Sequence, residues 1–567
     1  MSFAGVEDRN AIEAEMPWAD RDVPKTLWSM LSETAGKFPS HDAISYQIFS
    51  GPKDHAETLS WSQLRGQVGR AANLFRSLGV GPTDVVAYVL PNCNETVITL
   101  LGGAVAGIAN PINPLLEAEQ IGSILRETNA KVVVTLRPFP KTDVAEKTAE
   151  AVKLAPNVTT VLEVDLCRYL TAPKSWIVPL IRPKLKVTNQ ATYKNFNSEI
   201  AKQSAELTFD DPQEDRVAFY FHTGGTTGMP KVAQHKYSGM VYNGWLGHTL
   251  LYTENDNIMC PLPLFHVFAC HVILMAAVKS GAHVVFPTPQ GYRGDGVFDN
   301  FWKLVERWKI TFIITVPTAI SAKMQRPINA DISTVKTAFS GSAPLPLELF
   351  RRFEKATGIT LIEGYGLTEA TCLVSSNPTD GVRKVGSIGI TFPYTDVKIV
   401  KSTSDGLVEA EVDDFLSDCI MSARIIICRV FLSGDELLGV EELAVGAGAD
   451  LVDDGGLEVE HDAAGDVLAG AGLREECIVG IIFDPDGLVG GHGAVRLDTV
   501  LQAEKLPAGV TNLDTSLTNV NRDDFTHDEK ECVFLVVLNC LKSGLCFARK
   551  QDWICFFFFF FFFFFFI

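Results

Sequence analysis

The stretch His222-Thr-Gly-Gly-Thr-Thr-Gly-Met-Pro-Lys231 decides how the rest of this 567-residue chain is read. It follows the apolar run Val217-Ala-Phe-Tyr-Phe221, and that order predicts a buried strand opening into a glycine-rich loop. Glycines let the backbone turn its N–H groups toward one point. Threonine hydroxyls and a lysine ammonium add further donors around an anion. The ligand predicted for this loop is a phosphate. The spacing is not that of a P-loop, because Met229-Pro230 separates Gly228 from Lys231 and Val232 follows.

A second motif lies downstream, where Glu363-Gly-Tyr-Gly-Leu-Thr-Glu369 follows the apolar run Ile359-Thr-Leu-Ile362. Together the two motifs resemble those of the AMP-forming acyl-CoA synthetases, within the adenylate-forming superfamily that also holds luciferases and peptide-synthetase adenylation domains. The resemblance implies an α/β fold: a large domain of stacked βαβ subdomains plus a small distorted β-barrel. It also implies that Thr223, Gly224, Gly225, Thr226, Thr227, Gly228 and Lys231 wrap the β- and γ-phosphates of ATP. Convergent donors there stabilise the charge of departing pyrophosphate. Gly224 stands where many relatives carry serine, so one hydroxyl is missing.

Within the second motif, Glu363, Gly364, Tyr365 and Gly366 are implied to bind the nucleotide, with Tyr365 stacked on adenine. Thr368 is implied to hydrogen-bond the α-phosphate and Glu369 to coordinate Mg2+, so Thr368, Glu369 and Lys231 form the implied catalytic set. Ser340-Gly-Ser-Ala-Pro-Leu345 resembles the family's adenine-side loop, in which small residues (Gly341, Ser342, Ala343) let the base approach the backbone. Ser342 ahead of Pro344 also reads as a helix N-cap, and both roles can hold together. Pro261-Leu-Pro-Leu-Phe-His266 resembles the motif whose aromatic and His line the passage for the acid and the thiol. Gly386-Ser-Ile-Gly389 resembles the segment that closes the large domain, while Ala106 to Pro114 reads as packing.

Around these motifs, residues 25–400 alternate helical and strand patterns. Helices are predicted over Leu27 to Phe38, Trp61 to Leu78, Phe301 to Lys309 and Leu345 to Thr357, and strands over 131–135, 283–286 and 311–316. That alternation predicts parallel βαβ units with ligands at the carboxyl ends of strands.

The implied activity has two halves: a carboxylic acid and ATP give acyl-AMP and pyrophosphate, and coenzyme A then displaces AMP to form a thioester. Apolar residues at Pro261 to Val267 and Val316 to Ile320 suit a fatty or other apolar acid. Two alternatives stand beside this reading, an aryl- or amino-acid-adenylating enzyme and a non-catalytic nucleotide-binding remnant. The remnant draws on residues 402–567, where no counterpart of the family's Thr-Gly-Asp segment, basic hinge or small-domain lysine is found.

The expected organisation is therefore an extension over 1–24, a large AMP-binding domain over 25–401, an atypical acidic segment over 402–555 that is poorly structured, and a poly-Phe tail over 556–567. Residues 1–401 carry 39 basic and 38 acidic side chains, whereas residues 402–567 carry 10 and 30. The acidic excess sits in the last third, and no clustered basic footprint for nucleic acid is seen. Eleven consecutive phenylalanines, Phe556 to Phe566, precede the final Ile567, an apolar run short of the roughly 20 residues a spanning helix needs. Poly-Phe is what a T-rich tract encodes, so this tail is expected not to be a native segment. Single cysteines before residue 402 and an acidic N-terminus without a signal pattern predict a cytoplasmic protein without an integral membrane segment, peripheral attachment being left open. With those family segments absent, the chain as written is expected to bind ATP weakly and to turn over poorly or not at all.

Overall fold

The computed structural model describes residues 3–211, 213–223, 231–403 and 406–409, together with the short strands Ile482–Phe483, Val489–Gly490 and Val533–Leu538. Gly224, Gly225, Thr226, Thr227 and Gly228, expected to bind phosphate, and the poly-Phe tail lie outside the described residues. The chain divides into two units at the Thr395–Asp396 junction. In the second, Asp396–Thr403 pairs antiparallel with both Gly406–Glu409 and Val533–Leu538.

The first unit carries two large mixed sheets. Its strands, in chain order, begin with β1 (Asp42–Gln47), β2 (Ala56–Ser60), β3 (Val85–Val89), β4 (Ile108–Pro111), β5 (Ala130–Leu136), β6 (Thr160–Val164), β7 (Thr192–Asn195) and β8 (Val217–Thr223). They continue with β9 (Lys231–Lys236), β10 (Asn257–Met259), β11 (His283–Phe286), β12 (Phe312–Thr315), β13 (Thr337–Ser340), β14 (Thr360–Leu367), β15 (Cys372–Ser376) and β16 (Ile390–Thr391). One sheet runs β7-β6-β5-β3-β4-β8-β9 and the other β16-β15-β14-β13-β12-β10-β11-β1-β2. Pairing is parallel through both interiors and antiparallel at β8–β9, β1–β2, β14–β15 and β15–β16.

Central strands read as near-continuous apolar runs because helices cover both faces. Val85 to Val89 and Val132 to Val134 are fully enclosed. The helix Leu27–Lys37 starts at a capping box in which Thr26 accepts from the Ser29 backbone N–H, and Trp61–Ser77 starts at one formed by Ser60 and Gln63. Each such cap is worth about 1 kcal/mol. Among the described residues, the antiparallel strands β14, β15 and β16 prolong the nine-stranded sheet and no closed barrel forms.

The apolar run before the second motif opens a strand that does not stop at Ile362. It runs through the motif to Leu367, exchanging its parallel partner β13 for the antiparallel partner β15 after Glu363. Ser342 caps no helix: the helix following it spans Leu347–Thr357, its N-cap is Pro346, and Ser342 sits in the left-handed region at φ 69°.

Candidate active site

Four neighbouring parallel strands, β14, β13, β12 and β10, bring three of the motifs to one edge of the larger sheet. Ser340 pairs with Glu363 at the ends of β13 and β14, and Thr315 with Ser340 at the ends of β12 and β13. Pro261 to His266 leaves the carboxyl end of β10. Carboxyl ends of parallel strands are where open α/β sheets hold ligands.

Close backbone approach explains the glycines here. A Cβ on Gly364 would lie 2.0 Å from the Phe339 ring, and one on Gly366 would lie 2.1 Å from the Cys372 carbonyl oxygen. At Gly341 it would meet Phe268 at 3.2 Å and the Gly364 carbonyl at 3.3 Å. Glu363 is buried, and both of its oxygens accept backbone N–H bonds, from Leu345 and from Gly386, each at 3.0 Å. Its carboxylate thus ties the loop after β13 to the segment before β16. Burial pushes its pKa up, opposed by those two bonds.

Two buried hydroxyls at this edge, Ser340 Oγ and Tyr365 Oη, have no protein partner. Buried polar atoms in folded proteins are normally paired. Two orphans beside a cradle of small residues therefore fit a polar ligand with a flat face, such as a nucleotide base. Beyond them the chain turns out of β14 into a short 3-10 turn, Thr368–Ala370, where Thr368 is half-buried and Glu369 exposed. Among the described residues, no cluster of three His, Cys, Asp or Glu side chains is arranged to hold a metal. An exposed carboxylate next to Thr368 fits a cation whose other ligands are phosphate oxygens and water.

That turn is held from the smaller sheet by residues the motifs do not reveal. His235, on β9, places Nε2 2.6 Å from the Thr368 carbonyl oxygen. A carbonyl only accepts, so His235 carries its proton on Nε2, and Nδ1 accepts from His271 Nε2 at 2.9 Å. His271 Nδ1 then carries no proton and has no partner. Both rings pack on Phe221, and burial holds both neutral, the pKa of His235 falling to about 4 and that of His271 well below its ordinary value. On the other side of the turn, Thr371 and Cys372 adopt left-handed φ of 54° and 86°. Fully buried Asn243, in the helix Tyr237–Leu250, clamps them. Its Nδ2 donates to the Thr371 carbonyl at 2.6 Å, and its Oδ1 accepts from Leu373 N at 3.3 Å.

The glycine-rich segment lies between β8 and β9, with Thr223 paired to Lys231 across the gap and Lys231 exposed. His222, immediately before Thr223, is hydrogen-bonded through Nε2 to Asn110 Oδ1 at 2.9 Å. Asn110 lies in the segment expected to serve packing alone. It is fully buried, and its other amide end donates to Thr128. Burial lowers the pKa of His222 to about 4.

His266 is half-buried, its Nδ1 accepting from Phe268 N at 3.2 Å, and desolvation lowers its pKa to about 4. Two groups anchor the loop that carries it: Tyr88, whose hydroxyl donates to the Leu264 carbonyl, and Asn92, which bonds both Leu262 and Leu264. Phe268, two residues on, reaches Gly341, so His266 shares the edge of the loop after β13. The apolar stretch Val316 to Ile320 hides an amine: fully buried Lys323 donates to Thr315 Oγ1 at 2.8 Å, and burial pulls its pKa well down.

The chain is 32% identical over 406 residues to marinolic acid–CoA ligase of Pseudoalteromonas sp. (strain SANK 73390), covering 70% of this chain and 59% of that protein. It is 29% identical over 413 residues to a long-chain-fatty-acid–CoA ligase of Bacillus subtilis (strain 168), covering 68% and 70%. The chain thus spans about three fifths to seven tenths of the length of these curated relatives. Among solved structures, the fold matches the anthranilate CoA ligase AuaEII in complex with anthranoyl-AMP at a TM-score of 0.56 and 22% identity, over 70% of each chain. It matches ATP-bound MatB from Rhodopseudomonas palustris at 0.54 and 22%, over 68% of each. The family described as AMP-binding enzyme matches residues 31–413. The chain belongs to the AMP-binding enzyme family.

Proposed function

We propose that the activity built on this site is ATP-dependent activation of an apolar carboxylic acid, first to acyl-AMP and then to acyl-CoA. The observation that carries it is the pair of unpartnered buried hydroxyls, Ser340 Oγ and Tyr365 Oη, set around the small residues Gly341 and Gly364 beside Thr368. In this reading Tyr365 stacks on adenine, with Gly341, Ser342 and Ala343 forming the other wall. Thr368 donates to the α-phosphate as the acid's carboxylate oxygen attacks phosphorus and pyrophosphate leaves. Thr223, the Gly224 to Gly228 loop and Lys231 gather the charge of that leaving group.

Glu369 would hold Mg2+, whose bound charge neutralises phosphate oxygens. Neutral His266, at the mouth of the β10 loop, lines the passage by which the acid enters and the thiol sulfur reaches the acyl carbon, releasing AMP. The fatty-acid and marinolic acid ligases among the relatives, and the apolar residues Val316 to Ile320, favour a long or otherwise apolar acid. The domain limits that go with this reading are 25–401 for the large domain and 402–555 for a segment standing where relatives carry the small one.

Absence of a matching ribose-binding aspartate and catalytic lysine within residues 402–567 favours slow turnover by this chain, and gives the remnant reading its support. ATP–pyrophosphate exchange over a panel of aliphatic, aromatic and amino acids tests the proposal. Acid-dependent exchange, with thioester formed when coenzyme A is added, is expected for an acyl-CoA ligase. Exchange without thioester identifies an adenylating enzyme of another kind. ATP binding with no exchange for any acid identifies the remnant.

A further inference from the structure

From Leu166 to Ser198 the chain contains no acidic residue and six basic ones: Arg168, Lys174, Arg182, Lys184, Lys186 and Lys194. In the middle of this stretch lies the short helix Lys174–Ile181, none of whose residues is buried. Trp176, Ile177, Leu180 and Ile181 are 71%, 48%, 84% and 60% exposed. Their spacing of i, i+1, i+4 and i+5 puts all four on one face. Other exposed large apolar residues of the described chain are scattered, so this helix forms the concentrated apolar patch.

The charges around it divide into two sets. Arg182 is bound to Asp165 through Nη2 at 2.8 Å and Arg168 to Glu57 and Glu95, so both are neutralised and fix the segment to the sheet. Lys174 lies over the Phe49 ring at 3.8 Å, and Lys184 and Lys186 follow the helix on exposed backbone. None of these three lysines has a carboxylate partner among the described ion pairs. An exposed tryptophan and branched aliphatics flanked by unpaired lysines combine the two forces that seat a helix in the headgroup region of an anionic bilayer: burial of apolar side chains and attraction to lipid phosphate.

We propose that the segment Lys174 to Lys186 is a membrane-surface docking element for anionic phospholipid, with Trp176, Ile177, Leu180 and Ile181 entering the interface and Lys174, Lys184 and Lys186 meeting the headgroups. Docking delivers the chain to a surface where acids with long apolar tails accumulate.

Flotation of the full chain with vesicles of phosphatidylcholine alone, or of phosphatidylcholine and phosphatidylglycerol in equal parts, tests it. Binding is expected on the anionic vesicles, weakened in 0.5 M salt because charge screening shortens to a few ångströms. One lysine near such a surface is worth about fivefold in affinity, so Lys184→Gln with Lys186→Gln should weaken binding roughly 25-fold. Trp176→Ser with Leu180→Ser should weaken it at least tenfold while leaving the thermal unfolding midpoint unchanged, because neither side chain is packed. Three results would overturn the proposal: no binding to anionic vesicles, binding that neither double variant alters, or concentration-dependent self-association removed by Trp176→Ser with Leu180→Ser in a chain that ignores vesicles.

Discussion

The buried pair His235–His271 gives the fold a pH dependence that can be separated from every other titrating group. Replacing both rings by glutamine, His235→Gln with His271→Gln, preserves the chain of donors. The new amide at position 235 can donate to the Thr368 carbonyl, and the one at position 271 can donate to the side-chain carbonyl at 235. The pair no longer titrates. In the parent, His235 has a pKa of about 4 against an ordinary 6.5, and that of His271 lies well below 6.5. Between those limits the unfolded chain binds protons that the folded chain refuses, so stability rises with pH across the window and is lost as pH falls through it.

At about 1.4 kcal/mol per pH unit, His235 alone contributes roughly 3 kcal/mol that is full above pH 6.5 and gone near pH 4, and His271 adds to it with the same sign. Urea unfolding followed by tryptophan fluorescence, at half-unit steps from pH 7.5 to 4.5, reads this directly. At pH 7.5 the double variant should match the parent to within about 1 kcal/mol. By pH 4.5 it should be the more stable of the two by about 3 kcal/mol or more. Parallel curves would refute the reasoning, since they would mean that the rings are protonated in the folded chain or exposed to water.

Two further outcomes test the site itself. Lys231→Ala should weaken ATP binding by roughly tenfold, the value of a charge-assisted hydrogen bond at an exposed position, with no change in unfolding; unchanged binding in a calorimetric titration would remove Lys231 from the phosphate loop. Asn243→Ala strands the Thr371 carbonyl and the Leu373 N–H at two left-handed residues and should destabilise the fold by about 2–5 kcal/mol. A loss below 1 kcal/mol in denaturant unfolding would show that the turn holds itself.

How much of this was legible in the sequence depended on the range of the interaction. Strand His283–Phe286 and helix Leu27–Lys37 followed from local periodicity, because apolar spacing reports which face is buried. Glycine-rich motifs stood out because close approach forbids side chains at Gly364 and Gly366. The continuation of β14 through its motif did not show, since Gly364 to Leu367 lacks the apolar run of a buried strand and is extended by pairing with β15. His235, His271, Asn110 and Asn243 were passed over for the opposite reason. His271, Asn110 and Asn243 are lone polar residues in apolar settings, whereas His235 lies between Gln234 and Lys236, and what distinguishes each is a partner away in sequence: Thr368 for His235, His222 for Asn110, Thr371 for Asn243. The one available hint was compositional, a polar side chain inside a run that folding would bury, which implies a partner without naming it.

The glycines of the site also divide into those the fold requires and those a ligand requires, and substitution distinguishes them. A methyl group on Gly366 would meet a backbone carbonyl at 2.1 Å, which cannot swing aside, and one on Gly364 would meet the buried Phe339 ring at 2.0 Å. Alanine at either position should cost about 1–3 kcal/mol or more in unfolding, so a loss of nucleotide binding there cannot be separated from a loss of fold. At Gly341 the nearest atoms are 3.2 and 3.3 Å away and the backbone is not left-handed, so a shift of a few tenths of an ångström admits the methyl group. Packing therefore does not demand glycine there. If the loop after β13 is a wall of the adenine pocket, Gly341→Ala should leave denaturant unfolding within about 1 kcal/mol of the parent and still weaken ATP binding severalfold. An equal loss of stability at Gly341 and Gly366 would reduce the small residues to packing. Unchanged stability with unchanged ATP affinity would move the nucleotide away from this wall, and the orphaned Ser340 and Tyr365 hydroxyls would then need another ligand.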